Sequence, residues 1–457
     1  MKGFVTHIHF VGIGGVGMSG IAQVLLNLGY KVSGSDLKET ELTRRLVKAG
    51  ATVYSGHHSR NVRDAEVIVT SSAVSEANPE VKEARRRRVP VIARVEMLAE
   101  LARLKRTIAV SGTHGKTTTT AMVGVAMQAA GMDPTVIVGG QVADLGSNAK
   151  LGLGDYLVAE ADESDGSFLR LWPLATVVTN IDDDHLEHYG GLAELKQAFK
   201  THLSRLPFYG AAVLCMDDPE LRRIGRELER PVVSYGFHAS ANWRGKRVHS
   251  TRGTRLEVYR GKKKVGSLRL KIAGRHNAQN ALAAVAVAGY LGLDLKKVFK
   301  ALETFAGVGR RMETLGETDG VTFVDDYGHH PTEVSATLDA LREKFGRRRL
   351  VVLFQPHRYS RTKALYKDFG KSFGIADRLF VADVYAAGEK PIPGVDAKLI
   401  VKAAKRNGVD AAALSRAVDL VRELRKGDVV LTLGAGDIWK VGMDLLRRLR
   451  SVTLSDS

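Results

Sequence analysis

Residues 109–123 read AVSGTHGKTTTTAMV, which is an apolar strand end, a turn of small residues and a lysine–threonine pair. This pattern is typical of a P-loop, in which backbone amides and a lysine hold nucleotide phosphates and a hydroxyl coordinates Mg²⁺. Val110 stands where the usual pattern has its first glycine, but the lysine and threonine are present. The residues of the predicted ATP site are Gly112, Thr113, His114, Gly115, Lys116, Thr117 and Thr118.

A second glycine-rich turn opens the chain, in the stretch HFVGIGGVGMSGIAQVL at residues 9–25. It fits G-x-G-x-x-G between a strand and a helix, where bare amides bind a diphosphate. NAD is the obvious ligand for this pattern, but any diphosphate-linked ribose meets the same geometry. An acidic residue after the next strand usually holds a ribose hydroxyl. The predicted residues are Gly12, Gly14, Gly15, Gly17 and Asp36.

Outward from these turns, short apolar runs alternate with amphipathic stretches, which predicts an α/β fold with parallel sheets. At 457 residues the chain is too long for one ordinary domain. The pattern separates into three blocks with boundaries near Arg106 and Arg311. We therefore predict domains at residues 1–106, 107–310 and 311–457.

The chain is strongly basic, with 68 Lys and Arg against 50 Asp and Glu and a net charge of +18. Such a charge attracts acidic partners, among them nucleotides, phosphorylated substrates, nucleic acid and anionic lipid. The basic clusters at 84–90 and 346–350 lack interleaved aromatic residues, so we expect no specific nucleic-acid binding. One cysteine, no signal-peptide pattern and no membrane-length apolar run favour a cytoplasmic protein without membrane insertion.

Acidic residues follow two apolar strands of the second block, YLVAE and ATVV. Because parallel strands end at one edge of a sheet, Glu160 and His185 are expected beside the P-loop. Glu160 is a suitable hard ligand for Mg²⁺, whereas a histidine on this ion is unusual. Other carboxylates remain alternatives as metal ligands, helix caps or supporting groups: Asp162, Glu163, Asp165, Asp182, Asp183 and Asp184.

The third block concentrates polar residues at two successive strand ends, DDYGHHP and QPHRYSRT. Arginines there would hold a carboxylate or stabilise a transferring phosphoryl group. Together with the two phosphate-binding turns, this cluster suggests ATP-driven joining of an acid to an amine. Its members are Asp325, Asp326, Tyr327, His329, His330, His357, Arg358 and Arg361.

Motifs along almost the whole chain resemble the Mur ligases of bacterial peptidoglycan synthesis, in the branch that joins L-alanine to UDP-N-acetylmuramate. The resemblance implies an N-terminal Rossmann-like domain for UDP, a central P-loop ATPase-like domain and a C-terminal Rossmann-like domain for the amino acid. It also implies an acyl phosphate intermediate, with ATP and Mg²⁺ required. The matching stretches include GIGGVGMSGIA, GTHGKTTTT, EADESDGSF, TNIDDDHLEHYG, GRHNAQNALAA, GVGRRME, DDYGHHPTE, FQPHRYSRT and LGAGDI.

The resemblance also implies roles for single residues. Lys116 would contact the ATP phosphates, Thr117 and Glu160 would bind one Mg²⁺, and His185 would bind a second. Further nucleotide contacts, to adenine, phosphate and ribose, would come from His276, Asn277, Asn280, Arg311 and Asp326. Alanine and the reaction intermediate would be held by Tyr327, His329, Arg358 and Arg361, and the uridine diphosphate by Ser71 and Ser72.

Three questions remain open at the level of sequence. Several relatives carry a carbamylated lysine as a metal ligand, and Lys200 falls near that place, although a solvated helix lysine explains it equally well. A ligase that attaches a preformed tripeptide to the same UDP-sugar is the nearest rival function. An NAD-dependent oxidoreductase would explain the first turn but leaves the P-loop and the third block without a purpose.

Overall fold

The computed structural model describes residues 4–71, 73–145, 147–184, 186–248, 254–414 and 417–455. Within these residues the strands form three sheets, of five, ten and six strands. The chain divides into two compact units, Met1–Val248 with Arg255–Leu270 and Gln279–Ala306, and His249–Thr254 with Lys271–Ala278 and Gly307–Ser457. The first two sheets belong to the first unit, apart from Thr254, and the third belongs to the second unit.

The first sheet is wholly parallel, in the order β3-β2-β1-β4-β5. The order reverses between β1 and β4, which is where open α/β sheets bind ligands at the carboxyl ends of their strands. The strands are β1 (His7–Val11), β2 (Lys31–Asp36), β3 (Thr52–Ser55), β4 (Val67–Thr70) and β5 (Val91–Ala93). The helices are α1 (Val16–Asn27), α2 (Glu41–Lys48), α3 (Pro79–Arg86) and α4 (Arg94–Ala102).

The second sheet has the order β15-β14-β13-β12-β11-β10-β6-β9-β7-β8, with parallel strands from β13 to β7. Its strands are β6 (Arg106–Ser111), β7 (Thr135–Val142), β8 (Ser147–Lys150), β9 (Tyr156–Glu160), β10 (Ala175–Val178), β11 (Ala211–Cys215), β12 (Val232–Gly236), β13 (Trp243–Val248), β14 (Thr254–Arg260) and β15 (Lys263–Leu270). The helices are α5 (Lys116–Ala129), α6 (Leu186–Tyr189), α7 (Leu192–Ser204), α8 (Pro219–Glu227), α9 (Arg275–Tyr290) and α10 (Leu295–Thr304).

The third sheet has the order β16-β17-β21-β18-β19-β20, parallel except for β16. Apolar strands bury both of its faces, as expected for a parallel sheet between helices. The strands are β16 (Glu313–Thr318), β17 (Val321–Asp326), β18 (Leu350–Phe354), β19 (Arg378–Val381), β20 (Ala411–Ala413) and β21 (Val429–Leu433). The helices are α11 (Pro331–Phe345), α12 (Tyr359–Ser372), α13 (Ala397–Arg406), α14 (Ala417–Glu423) and α15 (Trp439–Ser455).

The predicted α/β class is confirmed, with one sheet in each of the three predicted domains. The exact domain boundaries stay predictions. Within the first unit, helix α1 contacts the second sheet as well as the first. Asn148 on β8 donates a hydrogen bond to the Val16 carbonyl of α1 at 2.5 Å. Among the described residues, no helix is both long enough and apolar enough to span a bilayer.

Candidate active site

The P-loop joins β6 to α5 and is tied to the carboxyl end of β10. The amide of His114 donates to Asn180 Oδ1 at 2.9 Å, and the side chains of Thr179 and Asn180 donate to the His114 carbonyl. His114 Nε2 also lies 2.9 Å from Asp182 Oδ2. These bonds hold the loop amides at the N-terminus of α5, which is where phosphates bind.

Gly115 sits at the start of α5 with φ of +81°, a conformation that favours glycine. A Cβ atom here would lie 2.9 Å from Asn280 Oδ1 on α9. The structure therefore brings the predicted Asn280 against the P-loop, and leaves no room between them for a larger residue. Contact of Asn280 with adenine stays a prediction.

The Lys116 side chain turns back and forms hydrogen bonds with the P-loop itself. Its Nζ donates to the carbonyl of Gly112 at 2.8 Å and to both carboxylate oxygens of Glu163, at 2.9 and 2.8 Å. Burial alone lowers the pKa of Lys116, but the negative charges of Glu163, Asp162 and Glu160 outweigh it, and the net shift is upward. The amine is thus a fixed positive charge at the phosphate-binding turn.

Glu163 is the carboxylate that faces this amine, and it is almost wholly buried. Burial raises the pKa of Glu163 to about 7, against the pull of Lys116. An anionic phosphate that reaches the loop competes with Glu163 for the same ammonium donors. Sequence reasoning left Glu163 among several alternative carboxylates, because the pairing depends on the fold.

Glu160 and Thr117 form the predicted metal site. The Thr117 hydroxyl donates to both carboxylate oxygens of Glu160, at 3.2 and 3.1 Å, and the Gly139 amide donates to Oε2 at 2.9 Å. Carboxylate and hydroxyl oxygens are the ligands that Mg²⁺ prefers, so this pair fits the ion. The predicted second metal ligand, His185, lies outside the described residues.

The glycine turn after β1 is organised by Asp36. Its Oδ2 accepts the Gly14 amide at 2.8 Å, and a Cβ atom on Gly14 would lie 2.8 Å from the same oxygen. The predicted Ser71 lies on the other side, with its Oγ 4.0 Å from where a Cβ on Gly12 would be. The structure therefore groups these four predicted residues, whereas Ser72 lies outside the described residues.

Arg94 is a member of this site that sequence reasoning missed. Its guanidinium lies 2.8 Å from where a Cβ on Gly17 would be. Burial raises the pKa of Asp162, but the positive charge of Lys116, the hydrogen bond from the Ser164 amide and the positive charge of Arg94 together outweigh burial, and the net shift is downward. Arg94 thus lies close to both the glycine turn and the acidic strand end. Its position directly after a predicted strand was the available signal.

In the second unit, Asp326 ends β17 and is buried. Its carboxylate accepts the amides of Met312 and Gly328, both at 2.8 Å, and the hydroxyl of Thr337 at 3.2 Å. Burial raises the pKa of Asp326 to about 6, against the positive charge of Arg311. Asp326 therefore orders the loop after β17, and its contact with a nucleotide ribose stays a prediction.

Tyr327 lies between two arginines. The Cζ atoms of Arg310 and Arg311 are 5.1 and 5.0 Å from its ring centroid, and the ring of His329 meets it edge-on at 5.5 Å. Arg310 is anchored by Asp325 at 3.0 Å. Sequence reasoning named Arg311 and missed Arg310, although the two are adjacent in GVGRRME.

His357 continues this cluster at the end of β18. Its ring lies 5.6 Å from His329 and is stacked on Tyr385 at 5.6 Å. Burial, followed by the charges of His329, Arg361 and Arg358, lowers the pKa of His357 to about 3. The imidazole is therefore neutral near pH 7, and the guanidinium groups carry the positive charge that a substrate carboxylate needs.

Arg358 is the N-cap residue of α12 and has a φ of +70°, in the left-handed region that an arginine rarely occupies. Its amide donates to the Tyr385 carbonyl at 2.8 Å, which holds this backbone in place. Residues kept in such conformations cluster at functional sites. The structure thus brings Tyr327, His329, His357 and Arg358 together, and the buried Arg361 lies in the first turn of α12, directly after Arg358.

The remaining predicted residues lie within helices or at a helix end. His276 and Asn277 open α9 in the second unit, and His330 caps α11. Lys200 is partly exposed on α7 and donates to Glu227 at 2.8 Å. An ion-paired surface ammonium does not support carbamylation, which would replace its charge with a negative one.

Three protein-family models match successive parts of the chain. Residues 7–106 match the Mur ligase family catalytic domain, residues 110–288 the Mur ligase middle domain, and residues 310–436 the Mur ligase glutamate ligase domain. The chain belongs to the Mur ligase family. Mur ligases depend on ATP, which agrees with the P-loop, and the predicted family membership is confirmed.

Two relatives place the chain more closely within this family. The UDP-N-acetylmuramate–L-alanine ligase of Myxococcus xanthus is 52% identical over 98% of this chain and 96% of that protein. The crystal structure of a UDP-N-acetylmuramate–alanine ligase from Thermotoga maritima superposes with a TM-score of 0.83, at 33% identity over 98% of this chain and 99% of that one.

A third Mur ligase bears on the rival function. The murein peptide ligase of Psychrobacter arcticus covers 97% of this chain and 98% of its own with a TM-score of 0.72, but at only 24% identity. That likeness shows the fold alone. Neither the tripeptide ligase nor the NAD-dependent oxidoreductase is favoured over the alanine-adding enzyme.

Proposed function

We propose that the protein joins L-alanine to the carboxylate of UDP-N-acetylmuramate with the energy of ATP, in the synthesis of peptidoglycan precursors. One observation carries this proposal. A P-loop lysine and the Thr117–Glu160 pair lie at adjacent strand ends, in a chain 52% identical to such a ligase over nearly its full length. Because the reaction consumes ATP, we propose a cytoplasmic location.

The chemistry requires activation of a carboxylate, which is a poor electrophile. Transfer of the terminal phosphoryl group of ATP to the muramoyl carboxylate makes an acyl phosphate. The alanine amine then attacks the acyl carbon, the C–N bond forms, the C–O bond to phosphate breaks, and the amine gives up a proton. The products are the amide, ADP and inorganic phosphate.

Lys116 has the main electrostatic role in this reaction. Two anions, the carboxylate and the terminal phosphate, must approach each other, and the ammonium neutralises part of their charge. Glu163 holds that ammonium in place until phosphate oxygens take over its donors. Thr117 and Glu160 would hold Mg²⁺, which supplies additional positive charge to the phosphates when bound.

The other sites have binding roles. The amides of the first glycine turn, with Arg94 beside them, fit the diphosphate of the UDP-sugar. Arg358 and Arg361, next to the neutral His357, fit the carboxylate of L-alanine, which leaves the amine to react.

Phosphate release from ATP tests the function directly. With UDP-N-acetylmuramate and Mg²⁺ present, release should depend on L-alanine and give a product that is one alanyl residue heavier by mass spectrometry. Release that depends on the tripeptide instead would assign the rival activity. No release with either acceptor would overturn the ligase function, and NAD binding would then be measured.

A further inference from the structure

Exposed apolar side chains line the amino-terminal edge of the second sheet. Four neighbouring parallel strands, in the order β11-β10-β6-β9, are each preceded by at least one exposed apolar side chain. Their exposure is high: Leu153 is 92% exposed, Phe208 82%, Trp172 69%, Tyr209 64% and Leu104 56%. We call these five residues the aromatic edge.

The residues of the aromatic edge precede strands that are neighbours in the sheet. Neighbouring strands lie about 4.8 Å apart, so the four strand ends form a row about 14 Å long. Phe208 and Tyr209 pack edge-on at 5.1 Å, and the Tyr290 hydroxyl donates to the Tyr209 carbonyl at 3.1 Å. Apolar side chains scattered singly over a surface need no explanation, whereas a row such as this one marks an interaction site.

Arginines accompany the aromatic rings. The Cζ of Arg205 lies 5.5 Å from the Trp172 ring centroid, and the Cζ of Arg106 lies 6.0 Å from that of Tyr156. Arg230 donates to the Leu206 carbonyl at 2.7 Å, in the same loop as Phe208. In the part of the chain that the structure describes, no carboxylate forms an ion pair with any of these three arginines.

Two acidic side chains that flank the aromatic edge in sequence are ion-paired, whereas the exposed Asp155, two residues after Leu153, lies beside Arg106, whose amide donates to the Asp155 carbonyl at 2.8 Å. Glu96 pairs with Arg170, and Glu100 pairs with Arg103, both at 2.9 Å. Arg205 and Arg230 therefore add positive charge to the apolar rings, whereas Asp155 offsets part of the charge of Arg106. A ligand for this surface needs an apolar layer beneath negatively charged groups.

We propose that the aromatic edge docks on an anionic lipid surface. Tryptophan, tyrosine, phenylalanine and arginine are the side chains that occupy the boundary between headgroups and acyl chains. The net charge of +18 attracts anionic lipid and opposes self-association through a second copy of the chain. Because no helix of the described residues spans a bilayer, the association is peripheral.

Docking at this edge leaves the ATP site open. The P-loop and Asn180 follow the carboxyl ends of β6 and β10, and Glu160 ends β9, so all three lie at the opposite edge of the same strands. Strands of four to six residues separate the two edges by about 15–20 Å. Binding to lipid and catalysis are therefore independent, and ligase activity in solution need not change when docking is lost.

Vesicle co-sedimentation of the full-length protein tests the proposal. Vesicles of phosphatidylcholine alone would be compared with vesicles containing one-third phosphatidylglycerol, at low and physiological salt. The double variant Trp172→Ser, Phe208→Ser removes the two largest apolar groups, and Arg106→Glu, Arg205→Glu reverses the charge. The matched control is Phe4→Ser, Val47→Ser, which removes two exposed apolar side chains from another part of the first unit.

The native protein and the control should sediment with anionic vesicles and stay in solution with neutral ones. Both edge variants should lose about tenfold or more in partition onto anionic vesicles, while L-alanine-dependent phosphate release stays unchanged. Equal binding by all proteins would show attraction by net charge alone and overturn the proposal, as would no binding by the native chain. A native dimer that the Trp172→Ser, Phe208→Ser variant converts to a monomer would assign the edge to a second copy instead.

Discussion

The two glycine-rich turns of this protein, one after β1 and one after β6, occupy equivalent places and are built differently. Each follows a parallel strand and opens a helix, after β1 and after β6. In the first, Asp36 accepts the Gly14 amide at 2.8 Å. In the second, Lys116 is paired with Glu163 at 2.8 Å, and Thr117 contacts Glu160. Charged side chains are thus part of the second turn itself.

This difference separates binding from chemistry. A diphosphate that stays intact during the reaction needs donors and space, which glycine amides at a helix N-terminus supply. A phosphoryl group that is transferred needs charge neutralisation that is already in place, because the reaction brings two anions together. The two turns therefore predict opposite consequences when each is altered.

The largest effect is expected from Lys116→Met. Phosphate release should fall about 10³-fold or more, since the ammonium that neutralises the terminal phosphates is lost. The sequence alone suggests that the fold would be untouched, but the structure shows a buried partner. Leaving Glu163 without Lys116 should cost about 3–5 kcal/mol of unfolding free energy, measured by urea denaturation.

Two further variants control this prediction. Adding Glu163→Gln to Lys116→Met should restore much of the stability but none of the rate. Lys200→Met removes a partly exposed lysine paired with Glu227 and should leave the rate within about twofold. A Lys116→Met enzyme that turns over normally would contradict the P-loop assignment, and loss of activity in Lys200→Met would revive carbamylation.

A smaller and more selective loss is expected from Arg358→Ala. Catalysis should fall about 10²-fold because one charge-assisted contact to a carboxylate is removed. Binding of UDP-N-acetylmuramate, measured by calorimetry, should be unchanged, because the glycine turn that we propose as its site is intact. The exposed Arg406→Ala on α13 serves as the control. Equal losses in catalysis and in UDP-sugar binding would count against the placement of alanine at Arg358.

Exchanging one glycine in each turn tests the comparison itself. Gly14→Ala places a methyl group 2.8 Å from Asp36 Oδ2, and Gly115→Ala places one 2.9 Å from Asn280 Oδ1. The first should weaken UDP-sugar binding about tenfold and spare ATP binding, and the second should do the reverse, because each turn must shift away from its ligand. If either variant weakened both ligands equally, the two turns would not be separate sites.

The smallest effect concerns the pH dependence of stability. The pKa of His357 is lowered to about 3 in the folded protein, so between pH 3 and its ordinary value of 6.5 the unfolded chain binds more protons. Stability contributed by the neutral imidazole is present above pH 6.5 and is lost as the pH falls. His357→Gln should therefore lose less stability than the native chain between pH 7 and pH 4.5, in urea titrations. The same slope in the native chain, in His357→Gln and in the exposed control His238→Gln would contradict a neutral, half-buried His357.

Much of the fold follows from sequence because buried parallel strands have a strong local signature. The stretches around His7–Val11, Val67–Thr70 and Val429–Leu433 are apolar, short and bounded by turns. Other strands lack that signature. Trp243–Val248, with the sequence WRGKRV, is polar and glycine-containing, and only its sheet neighbours make it a strand. The start of the helix after the first turn, at Val16, also lacks a local signal, since a glycine-rich helix start has no apolar period to mark it.

The candidate site was predictable where its chemistry is local. The spacing of Lys116 and Thr117 behind the glycines predicts their phosphate and metal roles. The position of Glu160 at a strand end predicts its role as a metal ligand. Arg94 and Glu163 were not assigned, because their roles come from residues far away in sequence, Gly17 in one case and Lys116 in the other. No pattern within a single segment encodes such a pairing.

Simultaneous binding of the two nucleotides tests the central claim most directly. Calorimetric titration of the native protein with a non-hydrolysable ATP analogue would be done before and after saturation with UDP-N-acetylmuramate. If the two turns are separate sites, the protein should bind one equivalent of each ligand at the same time. Competition, in which either ligand displaces the other, would contradict the account and show that a single site serves both.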